Sequence, residues 1–394
     1  MSITQSEKSL FSKIQNDFIG LNTVYTQADG NKTKRVYLDS TASTLMMGAA
    51  YNILEKFFDH YSNSHSLLHF SAKITTNQYD WAHKRILSFL GADPKLYTCF
   101  FTGSGTTAGI NRLARVFRDY RKEKDIVLVS IMEHHSNDLP HRKHAGKVIH
   151  IPLDSHNGYQ PGCLNLEELE KNLKKFGDRV NYVAVTGISN VTGIINPIHD
   201  IAELAHNYGA LILIDGAQMV AHMPVQISGH KNPMQDIDAF VFSGHKTYVP
   251  GSPGVVVCRK EILIAIEPEE LGGGMIEDVF VDRYIIKDHF PDREEAGTPN
   301  ITGAIALAAA IEIMDSLGMD FIYKKEDQLI CNAIERMKKI TGIIIYGETD
   351  NKKCDRAGSI SFNIRGMHHG LVAAVLNDYF NIAVRNECFC AHPY

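Results

Sequence analysis

A lysine follows directly on a run of apolar residues. Ile237 to Phe242 reads as the end of a buried strand, and the chain then breaks into Ser243-Gly244-His245-Lys246. Holding an ammonium against a dry strand end is costly. Desolvation lowers its pKa and leaves a nucleophilic amine. Such an amine forms Schiff bases, either with a carbonyl substrate or with pyridoxal phosphate. Taken alone, the stretch reads more simply as a solvated lysine in a loop between a strand and a helix.

Other strand ends shift that balance. A strongly apolar run, Ala210 to Ile214, leads into Asp215-Gly216-Ala217-Gln218. The run Leu96 to Phe101 leads into Gly103-Ser104-Gly105-Thr106-Thr107, which opens a helix to Tyr120. A strand, a glycine turn, two hydroxyls and a helix N-terminus outline an anion site. The turn lacks the Gly-Lys-Ser/Thr of a nucleotide-binding P-loop. The strand 125–131 leads to Glu133-His134-His135-Ser136-Asn137, and the strand 181–186 leads to Gly187-Ile188-Ser189-Asn190. Pyridoxal phosphate asks a protein for an amine, an acidic partner for its ring nitrogen, an anion cradle, a stacking group and a donor near its phenolic oxygen. Lys246 supplies the amine and Asp215 the carboxylate. Thr106, Thr107, Ser243 and His245 suit the cradle. His134 suits the stacking position, and Asn190 or Gln218 the phenolic side.

The elements that must position these residues alternate strand and helix from 96 to 260. Their strands are apolar on both faces, which implies a mainly parallel sheet with helices on each side. Ligands bind such sheets beyond the carboxyl ends of the strands, where these polar signals fall. Before this region, 5–18 reads as an amphipathic helix carrying Leu10, Phe11, Ile14 and Phe18. Val36 to Asp39 reads as a short strand, and Ser40-Thr41-Ala42-Ser43-Thr44 as a small-residue turn. Such a turn lets backbone approach a ligand, and it equally caps the helix at 47–60. A helix is expected over 75–90. Residues 272–296 read as loop. Helices follow at 301–316, 319–340 and 369–379, and strands at 342–346, 358–364 and 382–385.

Composition bounds the function. The chain has 394 residues, 44% hydrophobic and 22% charged, with a formal net charge of -5. That length suggests two domains. The acidic balance gives no support for nucleic-acid binding. No apolar run reaches membrane-spanning length, and Met1 to Gly20 lacks a secretory apolar core, so a cytoplasmic address is expected. Seven scattered cysteines suit free thiols in a reducing compartment. The nineteen histidines show no metal-ligand spacing, and no metal is expected.

These motifs, in this order, resemble the class V aminotransferase family, and within it the group II cysteine desulfurases and selenocysteine lyases. The resemblance rests on Tyr37-Leu38-Asp39-Ser40, Glu133 to Asn137 with Leu139-Pro140, and Ser189-Asn190-Val191-Thr192-Gly193. It continues through Asp215 to Gln218, Ser243 to Lys246, Gly272-Gly273-Gly274-Met275-Ile276 and Ala296-Gly297-Thr298-Pro299-Asn300. A last segment, Arg385 to Pro393, looks like the family's Arg-x-Gly-x-x-Cys-Ala-x-Pro. Together they span about 36 to 393.

The resemblance implies a fold-type-I pyridoxal-phosphate enzyme with a seven-stranded, mainly parallel sheet and a smaller α+β C-terminal domain. It divides the chain into an N-terminal segment (1–35) packing on the small domain, a large cofactor-binding domain (36–295) and a small domain (296–394). It implies a homodimer in which Thr298 reaches the phosphate of the partner's cofactor. Lys246 becomes the Schiff-base lysine, and His134 stacks on the ring and shuttles protons. Asp215 holds the ring nitrogen, with Gln218 and Asn190 on the phenolic side. On the substrate side stand His69, Ser40, Ala42 and Asn190, with Arg385 clamping the amino-acid carboxylate. Cys390 becomes the thiolate that takes sulfur from L-cysteine as a persulfide, leaving alanine and passing the sulfur to an acceptor protein. Cys388 reads as an ordinary structural or exposed cysteine.

The chain also departs from the family. Glu387 replaces a glycine, Ser104 and Ser66 replace arginines, and Ala108 replaces a glutamate. The family continues past the position of Tyr394 with a second carboxylate-binding arginine, so a shortened small domain is expected. Other class V reactions remain open alternatives (selenocysteine lyase, C–S lyase, transaminase, epimerase), as does a catalytically degenerate scaffold.

Overall fold

The computed structural model describes residues 5–155 and 161–394. At its centre lie seven strands: β1 (Tyr97–Thr102), β2 (Ile126–Ser130), β3 (Lys147–Ile151), β4 (Val180–Thr186), β5 (Leu211–Asp215), β6 (Ala239–Ser243) and β7 (Gly254–Arg259). Their spatial order is β1-β7-β6-β5-β4-β2-β3. Only β7 runs against its neighbours, pairing antiparallel with β6 and β1. The mainly parallel seven-stranded sheet expected from the sequence is present.

Strand residues alternate between two cores, as a period of two requires. Ile212, Ile214, Phe240 and Phe242 pack into one cluster; Leu211, Leu213, Ala239 and Val241 pack into the other. Each such side chain, fully buried, contributes about 1.5–3 kcal/mol. Both faces are therefore covered by helices. α1 (Gly48–Phe58), α2 (Phe70–Phe89) and α3 (Gly105–Tyr120) precede or follow β1, and α4 (Ile301–Leu317) packs on α1 and α2. α4 is apolar nearly all round, the pattern of a helix enclosed on every side.

Register then sets the functional edge. Asp215 pairs with Thr186 of β4 on one side and Val241 of β6 on the other. β4 and β5 end level at Thr186 and Asp215, β6 runs on to Ser243, and the residues that follow all three emerge at one edge.

Beyond the sheet, α5 (Met319–Met337), α6 (His369–Phe380) and the antiparallel pair Ile343–Ile345 with Phe362–Ile364 form the C-terminal elements. Ile382–Ala383 pairs in parallel with Val36–Tyr37. The described N-terminal residues also reach α6: Ala28 N donates to Asp378 O at 2.8 Å, and Gln27 Nε2 to Tyr379 O at 2.8 Å. Residues 1–4 of the expected N-terminal segment lie outside the described residues.

Three differences from the sequence reading have local causes. The stretch read as loop over 272–296 contains a hairpin, Ile276–Val279 with Tyr284–Ile286. Its side chains are mostly exposed, so no buried alternation marks it. β7 has no individual expectation behind it, because Val255 to Cys258 is a short apolar run without periodicity. α2 begins at Phe70 rather than 75, because His69 Nδ1 accepts from Ala72 N at 3.3 Å and starts the helix early.

Two buried acids hold the chain between the sheet and α4. Glu295 accepts from Tyr79 OH at 2.6 Å and Phe101 N at 2.7 Å, and lies 2.9 Å from His83 Nε2. Glu294 pairs with Arg112 of α3 at 2.5 Å, and Arg112 Nη1 donates to the Glu294 carbonyl at 2.8 Å. Both partners of that pair are buried. Arg112→Ala strands the carboxylate in a dry site, and the expected loss is about 3–5 kcal/mol of unfolding free energy. Chemical denaturation measures it; a loss below about 1 kcal/mol, typical of exposed pairs, is the contrary result.

Candidate active site

The residues that follow β2, β4, β5 and β6 surround a cavity of ≈ 1470 Å³. Asp215 closes β5 and is buried. One carboxylate oxygen, Oδ1, accepts from Ala217 N at 2.9 Å. Among the described residues the second oxygen makes no hydrogen bond to protein. Burial raises the Asp215 pKa, against the pull of the Ala217 amide and the Lys246 charge. Lys246 sits in the single tight turn Gly244–Lys246 that follows β6. Burial lowers its pKa, and the charges of Asp215 and Cys390 oppose that shift. Gly244 makes the turn possible, since a Cβ there would lie 2.1 Å from Ser252 Oγ. The lysine left nucleophilic by its surroundings is thus also the lysine aimed at an acid across the cavity.

At one end of the cavity α3 begins. Gly105 has φ +59, and a Cβ on it would fall 2.6 Å from Ser243 Oγ. That oxygen accepts from Thr106 N at 2.7 Å and lies 2.7 Å from Thr106 Oγ1. Thr107 Oγ1 meets Ser136 Oγ at 2.6 Å, and His245 Nδ1 lies 3.3 Å from Ser43 Oγ. Four segments therefore bring hydroxyls and a helix N-terminus to this end of the cavity, where the helix dipole favours an anion.

His134 forms the adjoining wall. Its Nδ1 accepts from Ser136 N at 3.1 Å and lies 3.0 Å from Ser136 Oγ. Burial first, then the Lys246 and His135 charges, push its pKa down to about 4, so the imidazole is neutral near pH 7. Behind it lies a buried polar chain to which the sequence reading gave no role. Glu133 is hydrogen-bonded by Ser130, by Asn137 Nδ2 at 2.6 Å and by Thr186 N at 2.9 Å. Asn137 Oδ1 lies 3.0 Å from His141 Nε2, whose Nδ1 lies 2.8 Å from Tyr182 OH. This chain bolts the His134 loop to β4. Its one sequence signal is the i, i+4 spacing of Asn137 and His141.

The C-terminal arm closes the site. Arg385 grips Asp39 with two bonds, Nε–Oδ1 at 3.0 Å and Nη2–Oδ2 at 2.8 Å. Asp39 is a partner the sequence reading did not foresee. Asn190 Nδ2 donates to Phe389 O at 2.9 Å, and His135 N donates to Cys390 O at 2.7 Å. Gln218 Nε2 donates to Thr41 O at 2.8 Å. Glu387, Phe389 and Cys390 have φ of 81, 52 and 56. At 387 the backbone keeps the shape the family's glycine adopts freely, and a glutamate bears it.

Of the residues singled out in the sequence, Lys246, Asp215, His134, Asn190, Gln218, Thr106, Thr107, Ser243, His245, Ser40, Ala42, Arg385 and Cys390 all line this cavity. His69 and Thr298 do not. His69 caps α2, and Thr298 lies at the exposed rim of a separate, smaller pocket beside Glu294 and Glu295. Among the described residues no group of three histidine, cysteine or acidic side chains is arranged to hold a metal ion, and no helix is long and apolar enough to cross a membrane.

The chain belongs to the aminotransferase class-V family, whose model matches residues 36–394. A probable cysteine desulfurase from Halalkalibacterium halodurans is 36% identical over 371 residues, covering 92% of this chain and 86% of that protein. A cysteine desulfurase from Shigella flexneri is 33% identical, over 91% of this chain and 84% of its own. Among solved structures, the apo cysteine desulfurase of Thermococcus onnurineus NA1 superposes with a TM-score of 0.81 at 31% identity, covering 91% of this chain and 86% of that one. The cysteine desulfurase CsdA of Escherichia coli, in its S-sulfonic acid form, gives a TM-score of 0.78 at 28% identity, covering 97% and 89%.

Burial raises the Glu133 pKa from 4.5 to about 8, and its hydrogen bonds only partly offset this. Between those values the folded protein keeps a proton that the unfolded chain has released. Stability therefore falls as pH rises from 4.5 to about 8 and levels off above it. In Glu133→Gln, which cannot ionise, that part of the Tm-against-pH profile flattens. An unchanged slope would show that Glu133 is already ionised in the folded state.

Proposed function

We propose that this chain is a pyridoxal-phosphate-dependent cysteine desulfurase that converts L-cysteine to L-alanine and holds the sulfur as a persulfide on Cys390. The observation that carries the reading is the placement of Lys246 and Asp215 on one cavity, with the Thr106–Ser243 turn at its end. The residues fit the cofactor. Asp215 has an oxygen free to accept from a ring nitrogen, and the glycine at 105 lets Ser243 Oγ close on the N-terminus of α3, where a phosphate would sit.

When bound, pyridoxal phosphate supplies an electron-withdrawing ring that stabilises charge at the substrate α-carbon. The chain's own residues do the rest. Thr106, Thr107, Ser243 and His245 hold the phosphate. Asp215 keeps the ring nitrogen protonated, and neutral His134 packs on the ring face. Gln218 retains a free amide hydrogen after binding Thr41, and with Asn190 it serves the phenolic side. Lys246 would hold the cofactor through its amine, and with that amine free again Nζ would be the group that carries the α-proton. Arg385 exchanges its Asp39 partner for the substrate carboxylate, a swap between two planar carboxylates that its fork accepts equally. Ser40 and Ala42 complete the substrate side, and His69, which caps α2 outside the cavity, takes no part in it.

We further assign the working form as a homodimer in which Thr298 serves the partner's site. Support comes from its exposure outside its own cavity and from large apolar side chains elsewhere that are open to solvent: Leu68 is 97% exposed and Phe70 90%. Contacts of 27 and 28 with α6 favour assigning 1–35 to a small domain of 296–394, with 36–295 as the large domain. Seven free cysteines suit a reducing cytoplasm and delivery of sulfur to an acceptor protein.

Supplied with cofactor, the purified protein absorbs near the visible edge, and Lys246→Ala abolishes that band. Cys390→Ala keeps the band and loses sulfur release from L-cysteine. A colourless wild-type protein refutes the cofactor assignment; undiminished alanine and sulfide from Cys390→Ala refute the persulfide role.

A further inference from the structure

Cys388 stands two residues before the proposed nucleophile, and three bonds give it a base. Its Sγ lies 3.0 Å from His392 Nε2. His392 Nδ1 lies 3.0 Å from His135 Nε2, and the two rings stack with centroids 4.9 Å apart and planes within 9°. His135 Nε2 also takes a bond from the His392 backbone N–H, at 3.3 Å.

The backbone bond decides the tautomers. An N–H can only donate, so His135 Nε2 carries a lone pair and its proton sits on Nδ1. His392 Nδ1 must then donate to that same nitrogen. Neutral His392 therefore presents an unprotonated Nε2 to the Cys388 thiol. A free thiol is mostly protonated at neutral pH, and a neighbouring imidazole able to accept its proton is what makes it a nucleophile.

One turn carries both cysteines. Ala391 N donates to Cys388 O at 3.0 Å, closing a loop around Phe389 and Cys390, both left-handed. Cys388 and Cys390 line the same cavity and are both exposed. His135 ties the array to the active site, since its amide holds Cys390 O and its neighbour is His134.

We propose that Cys388 is a second sulfur-carrying thiol that receives the persulfide sulfur from Cys390, with His392 as its base. This rests on the desulfurase reading. The step balances without an oxidant. His392 Nε2 takes the Cys388 proton, and the thiolate attacks the outer sulfur of the Cys390 persulfide. The S–S bond to Cys390 breaks, Cys390 leaves as thiolate, and Cys388 becomes the persulfide. The His392 proton then passes to the departing thiolate or to solvent. The sulfur now sits outside the nucleophile's position, and Cys390 is free for another substrate. The acceptor is a thiol; dithiothreitol serves as the probe.

The test locates the sulfur. The protein loaded with pyridoxal phosphate is mixed with L-cysteine, alkylated at increasing times and mapped by peptide mass spectrometry without reduction. The expected result is persulfide first on Cys390 and later on Cys388. In His392→Gln the transfer slows about tenfold, because the Cys388 thiol has lost the group that accepts its proton, and sulfur dwells on Cys390. In Cys388→Ser it stays on Cys390, and sulfide release to dithiothreitol falls several-fold. A retained cofactor absorbance band verifies that each variant is folded.

Sulfur on Cys390 with none ever on Cys388 overturns the relay and leaves the desulfurase reading standing. So does a Cys388–Cys390 disulfide formed with free sulfide. Persulfide on Cys388 in Cys390→Ser overturns the relay by making Cys388 the first acceptor. No alanine and no persulfide in the wild type overturns both readings.

Discussion

Two opposite charges held out of water at the ends of neighbouring parallel strands are the constraint on which this structure rests. Asp215 ends β5 and Lys246 follows β6, and the sheet is buried on both faces beneath them. Each group alone would neutralise in such surroundings. Each one's charge instead opposes the shift that burial imposes on the other. Under the proposed function, a cofactor carrying a ring nitrogen and an aldehyde would engage both at once.

The neighbouring loops are held by buried polar groups rather than by apolar packing alone. Glu133 fixes the His134 loop to the end of β4, and Glu295 fixes the chain before Thr298 to β1 and α2. Apolar contacts set distance but not direction, whereas a carboxylate taking bonds from backbone amides fixes both. Bonds of this kind fix the orientation of the His134 loop relative to the sheet.

The C-terminal arm works differently. It lies on the cavity through Asn190 to Phe389 O, His135 to Cys390 O and the Arg385–Asp39 pair, and little apolar surface secures it. Three of the four residues 387–390, Glu387, Phe389 and Cys390, adopt left-handed backbone, each at a cost of about 1–2 kcal/mol. An arm held by exchangeable polar bonds suits the proposed function, in which its residues would meet a substrate, take its sulfur and release it.

Much of this was legible in the chain itself. The apolar runs before Asp215 and Lys246 declared buried parallel strands, and the glycine–hydroxyl turn at 103–107 declared a helix N-terminus at their edge, because both depend on local pattern. The family followed from the order of short motifs. Other features needed the folded chain. The pairing of Asp39 with Arg385 joins residues 346 apart, and the Glu133–Asn137–His141–Tyr182 chain crosses from a loop to β4. Cys388 looked like an ordinary thiol until folding stacked His392 on His135. Sequence determined which groups lie dry or wet, since that depends on periodicity over a few residues; tertiary structure decided which polar group meets which, since hydrogen bonds depend on distances and angles that only the closed chain defines.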